Sequence, residues 1–69
     1  MYIEDGFSLN LASARVNRNL KKDYVANEVG VSSRTLSNWE DGKTTPDAKN
    51  LIRLSEIYQT PLSLLRLEP

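Results

Sequence analysis

The chain has 69 residues, no cysteine, no histidine, and nine basic against nine acidic side chains, for a formal net charge of zero. Such a chain makes one small domain, because at this size only about 60% of the surface exposed by the unfolded form is buried. A disulfide framework, a thiolate or imidazole metal site and histidine activation of a nucleophile are excluded, and hydrophobic packing or self-association must hold the fold.

The first ten residues, MYIEDGFSLN, carry two acids and no base, and apolar stretches run for only a few residues. Neither a signal peptide nor a membrane span fits, so a cytoplasmic protein is expected. Residues 1–8 read as an N-terminal arm and residues 9–67 as the domain. Ser8 is placed to cap a first helix over 9–19, in which Leu9, Ala12, Val16 and then Leu20 recur at spacings of three or four. Asn10, Ser13, Asn17 and Arg18 form its other face. A second short helix, 22–28, sets Val25, Ala26 and Val29 on one side and Asp23 in its first turn, where the helix dipole favours an anion. Gly30 supplies the left-handed turn that ends it.

Ser32 is a good N-cap for a third helix of about 33–40, which Gly42 closes. In TTPD, Thr45 as cap and Pro46 at the first helical position open a fourth helix with Ala48, Leu51, Ile52, Ser55 and Tyr58 as its inner stripe. QTPLSLLRL repeats that start signal with Thr60 and Pro61, predicting a fifth helix over 61–67. A strand signal is confined to MYI. The expected fold class is all-α, five short helices around one core, with Val25, Ala26, Val31, Leu36, Trp39 and Leu51 as anchors.

The third helix divides cleanly by face. Successive residues 100° apart put Ser33, Arg34, Ser37, Asn38 and Asp41 on a wholly polar arc of about 140°. Thr35, Leu36 and Trp39 lie opposite, with Glu40 at the edge, so Trp39 is read as a core residue rather than a ligand contact. The polar arc holds hydroxyls, an amide and an arginine, side chains able to reach base edges from a helix in a groove, where plain solvation favours lysine and glutamate. A short helix, a glycine-containing turn and this helix are the layout of a helix-turn-helix. Lys22 and Lys43 bracket the arc as backbone-positioning cations would. Residues 14–45 hold six basic and four acidic side chains, the remainder three and five, a mild asymmetry toward the same region.

The run LKKDYVANEVGVSSRTLSNWEDGKTTP, with LASARV before it and LIRLSEIYQTPLSLL after it, resembles the Cro and phage-repressor type of helix-turn-helix, the Xre family. The resemblance covers nearly all of the chain after about residue 9. It rests on Ala26, Gly30, Val31, Ser32, Leu36, Trp39, Glu40, Gly42, Lys43 and Pro46 at the family's spacing. It implies a lambda-repressor-like domain whose third helix enters the major groove of DNA, with the helix-turn-helix at helices 2 and 3. Ser33, Arg34 and Asn38 match base-reading positions, with Ser32 and Ser37 near them. Arg34 can donate two bonds to guanine and Asn38 can pair with adenine. Arg15, Lys21, Lys22, Lys43 and Thr44 are the implied phosphate contacts, with backbone N–H groups at the start of helix 2. The resemblance also pairs Arg15 with Glu40, for which there is an independent reason: an unpaired carboxylate at the edge of an apolar face is costly.

Some positions depart from the family pattern. Lys21 and Lys22 stand where a capping threonine or serine and then a glutamine are common, so a cap is lost and charge is gained. Gln59 replaces a frequent glycine at the end of helix 4, and Ser55 a usual alanine.

These residues lead to a sequence-specific DNA-binding regulator, a repressor above all, needing no cofactor or metal. A single reading helix makes a small interface of about 600 to 1,000 Å². A homodimer on a palindromic operator is therefore expected, with half-sites about 34 Å apart. Leu62, Leu64, Leu65 and Leu67 cannot all face inward on one short helix. Leu64 and Leu67 are candidates for a dimer seam or for a continuing core, and Tyr2, Ile3 and Phe7 can cover the core or meet the second subunit. Two alternatives stay open: an antitoxin with autoregulatory DNA binding, whose toxin-binding extension is not visible beyond residue 67, and a protein adaptor on the same helices. An enzyme is not expected, since no nucleophile with a base, carboxylate dyad or phosphate-cradling glycine loop can be assembled.

Overall fold

The computed structural model describes residues 8–69. Tyr2, Ile3, Phe7, the MYI strand signal and all of the arm but Ser8 lie outside the described residues. The order of elements is β1 (Leu9–Asn10), α1 (Leu11–Asn17), α2 (Lys22–Val29), α3 (Ser33–Glu40), α4 (Ala48–Tyr58), a 3-10 turn (Leu62–Leu64) and β2 (Leu65–Arg66). Four α-helices are present among the described residues, not the five expected, and none is long and apolar enough to cross a membrane.

The fifth helix is replaced by the 3-10 turn and β2, which pairs in parallel with β1 through Leu9 with Leu65 and Asn10 with Arg66. The reason is the leucine count. In an extended segment residues two apart share a face, and Leu65 and Leu67 both pack against the core while Arg66 is exposed. Arg66 Nη1 donates to Ser8 Oγ at 2.8 Å and to the Ser8 carbonyl at 3.2 Å, fastening the two ends of the described chain.

The first helix starts later than Ser8 allows. Asn10 is its N-cap, accepting the Ser13 N–H at 2.8 Å, and Leu9 is drawn into β1. The inward residues are then Leu11 and Ala14, while Val16 is 60% exposed. Leu20 packs against the core from beyond the helix end. The α4 start is likewise shifted, from Thr45 and Pro46 to Asp47, whose carboxylate accepts the Asn50 N–H at 2.9 Å. A carboxylate is both a capping acceptor and a favourable charge at a helix N-terminus, and Pro46 lies buried ahead of it. The inner face of α4 turns accordingly: Leu54 and Tyr58 are buried and Leu51 and Ile57 pack beside them, whereas Ala48 and Ile52 are exposed.

The core comprises Leu11, Ala14, Val25, Ala26, Leu36, Trp39, Leu54 and Tyr58. Of the expected anchors, Val25, Ala26, Leu36 and Trp39 are buried, and Val31 and Leu51 are half-buried against them. α2 packs on both α3 and α4, and α1 on α3, so α3 is held from two sides.

Candidate nucleic-acid interface

The α2–α3 corner is fixed by backbone chemistry. Gly30 adopts φ +90°, a region open to glycine and strained for other residues, and the Gly30 and Val31 N–H groups both donate to the Ala26 carbonyl, at 2.8 and 3.0 Å. Ser32 Oγ then accepts the Thr35 N–H at 3.1 Å and shares a 3.0 Å hydrogen bond with Thr35 Oγ1. The Ser32 hydroxyl is thus engaged at the start of α3. At the far end, Gly42 has φ +76°, and a Cβ there would lie 3.0 Å from the Pro69 ring. Asp41 is the C-cap, just before it.

Burial divides α3 as its pattern does. Leu36 is fully buried and Trp39 nearly so, while Arg34 is exposed and Ser33, Ser37 and Asn38 are half-exposed. The backbone carbonyl of Asn38 accepts the Lys43 N–H at 2.9 Å and the Thr44 N–H at 3.4 Å, which folds the following turn back beside the helix end. Lys43 and Thr44 are exposed there, as are Lys21 and Lys22 at the start of α2. The corner therefore gathers the half-exposed serines and asparagine, Arg34 and three lysines on adjoining segments.

Glu40 is buried, and its carboxylate is met by Arg15, with Nε to Oε2 at 2.7 Å and Nη2 to Oε1 at 3.3 Å. Arg15 Nη1 also donates to the Leu20 carbonyl at 2.8 Å. The Glu40 hydrogen bond raises the Arg15 pKa, with desolvation opposing it. Three of the five guanidinium N–H groups are engaged, which leaves two without a partner among the described residues, and the side chain is 13% exposed. Lys22 Nζ lies 4.0 Å from Glu40 Oε1 and donates to Ser37 Oγ at 3.2 Å.

One contact here goes beyond what the sequence offered. Ser33 Oγ donates to Asp23 Oδ1 at 2.6 Å. The sequence places Asp23 only at a favourable helix start; that it faces Ser33 depends on how α2 crosses α3, for which no local pattern stands.

A helix-turn-helix family model matches residues 11–65, taking in all four helices and the 3-10 turn. The chain belongs to the Xre type of helix-turn-helix family. Over 59 residues this Xre-type chain is 32% identical to the cryptic phage CTXphi transcriptional repressor RstR of Vibrio cholerae, across 86% of the chain and 53% of that relative. The chain thus spans about half the length of the relative. No solved structure matches it.

Proposed function

We propose that the chain is a sequence-specific DNA-binding transcriptional regulator, acting as a repressor, that reads the major groove with α3. The observation that carries this is the division of α3. One face is locked into the core by Leu36 and Trp39, while Arg34, Ser33, Ser37 and Asn38 keep exposed surface on the other, in a chain of the Xre family. The similarity to a phage transcriptional repressor supports the repressing role.

In this reading Arg34 donates bidentately to a guanine, Asn38 pairs with adenine, and Ser33 and Ser37 contact neighbouring base edges. Ser32 serves mainly as the cap. Lys21, Lys22, Lys43 and Thr44 bind phosphates on either side, joined by the two remaining N–H groups of Arg15. Two copies bind a palindromic operator as a homodimer, because one reading helix offers too little surface for operator-grade selectivity. Leu67 packs inward, so a seam at this edge draws on Leu64, half-buried, and on Leu62, which is 45% exposed.

Selection of bound sites from a random DNA pool tests the proposal. A palindromic motif with a guanine in each half-site is the expected result. A pool with no enriched motif would sink the reading and favour a protein adaptor on the same fold.

A further inference from the structure

Two serines on the outer face of α3 have their hydroxyl hydrogen bonds committed by α2, and in opposite senses. A serine hydroxyl has one proton and two lone pairs, and an ionised carboxylate can only accept. The 2.6 Å bond from Ser33 Oγ to Asp23 Oδ1 therefore uses the Ser33 proton and leaves only lone pairs for a further partner. Lys22 Nζ can only donate. Its 3.2 Å bond to Ser37 Oγ occupies a lone pair and leaves the Ser37 proton available. Positions 33 and 37, one helical turn apart, present opposite hydrogen-bonding character.

We propose that Asp23 is a specificity-determining residue: by holding the Ser33 proton it makes position 33 an acceptor, directed to a base that presents an amino group in the major groove. Those bases are cytosine, through N4, and adenine, through N6; guanine O6 and thymine O4 present lone pairs and are disfavoured there. Ser37, oriented by Lys22, faces an acceptor, either guanine, thymine or a phosphate. The inference rests on the reading of α3 as the base-contacting helix. It also accounts for a carboxylate standing exposed beside Lys21 and Lys22. There its charge opposes phosphate binding on every sequence, so its contribution is to selectivity rather than affinity.

Site selection with the wild-type chain and with Ser33→Ala, Asp23→Ala and Asp23→Asn tests this, with circular dichroism confirming that each variant is folded. Ser33→Ala flattens the preference at one base position, which identifies the position that Ser33 reads. At that position the wild type selects cytosine or adenine. Asp23→Ala admits guanine and thymine there, lowering the preference about 3- to 10-fold, the range of one hydrogen bond, while affinity for all DNA rises. Asp23→Asn raises affinity in the same way but keeps the preference, because the amide oxygen still accepts the Ser33 proton. The inference is overturned if Asp23→Ala leaves the base distribution unchanged, if the two alanine variants flatten different positions, or if the wild type selects guanine or thymine at the Ser33 position. A wild-type chain that enriches no motif defeats the DNA reading itself, an outcome distinct from all of these.

Discussion

Arg15 and Glu40 form a two-pronged ion pair, 2.7 Å at its shorter arm, that ties α1 to the last residue of α3. The Glu40 side chain is 4% exposed and that of Arg15 13%, so each charge depends on the other. Arg15 also holds the Leu20 carbonyl, which makes the guanidinium the junction of α1, the loop after it and α3. Orientation of α3 is therefore set at its end by this pair and along its length by Leu36 and Trp39.

Removing the cation is expected to cost more than neutralising the anion. Arg15→Ala leaves Glu40 buried with Lys22, 4.0 Å away, as its nearest cation among the described residues, and should lower stability by about 3 kcal/mol. Glu40→Gln keeps the shape and an acceptor for Arg15, and should cost about 1 to 2 kcal/mol. Urea titration of both variants measures the difference. Equal losses would mean that pairing of charge, and not packing of the Arg15 side chain, sets the value of this contact.

Variants at Arg34 and Lys43 test the proposed base reading and phosphate binding separately. Arg34 is exposed on the outer face of α3, and Arg34→Ala should cost about 1 to 3 kcal/mol at the selected operator and relax preference at one base. Lys43 stands exposed in the turn after α3, and Lys43→Ala should weaken binding to all sequences and lower the salt slope by about 1. Titrations of operator and scrambled duplexes at several salt concentrations report both. Equal loss on the two duplexes for Arg34→Ala removes it from the base-reading set, and an unchanged slope removes Lys43 from the phosphate set.

What could be read from the sequence was local. Gly30 and Ser32 mark the α2–α3 corner because a left-handed turn and an N-cap need those residue types, and the wheel of α3 sorts Leu36 and Trp39 from Ser33 and Arg34 without any knowledge of neighbours. The C-terminal segment was not legible in this way. Thr60 and Pro61 are valid helix-start chemistry, but Leu65 and Leu67 gain more by alternating inward beside Leu9, a partner at the other end of the chain. At TTPD the start expected at Thr45 and Pro46 gave way to Asp47, whose carboxylate caps the helix. The Asp23 to Ser33 contact depends on interhelical geometry alone.

The helix ends offer two stabilising substitutions. Lys21 occupies the N-cap of α2 without any side-chain bond to the helix, so Lys21→Ser should add about 0.5 to 1 kcal/mol. Gln59 closes α4 at φ +53°, a left-handed conformation that costs a side-chain-bearing residue about 1 to 2 kcal/mol. Gln59→Gly relieves that strain at some cost in unfolded-state entropy, for a net gain of about 0.5 kcal/mol. For a chain of this size each gain should raise Tm by a few degrees. A fall in Tm for either variant would show that the native lysine or glutamine makes a contribution its cap geometry does not reveal.

Tyr58 gives the sharpest test of the core. It is fully buried, and its hydroxyl has no hydrogen-bond partner among the described residues. Burial raises the phenol pKa above its ordinary value of 10.0, and the Glu40 charge adds to this while Arg15 opposes it. Tyr58→Phe removes the unsatisfied oxygen and keeps the ring, so stability should rise by about 1 kcal/mol at neutral pH. The linkage has a definite sign. Above pH 10 the unfolded chain releases the Tyr58 proton while the folded chain retains it, so the unfolded state binds fewer protons and stability falls as pH rises. This contribution is at most about 1.4 kcal/mol per pH unit, and it is absent from Tyr58→Phe. Denaturant titrations of both proteins at neutral pH and above pH 10 should therefore show the gap between them widening with pH. A constant gap would place the hydroxyl in contact with a partner that also binds its ionised form.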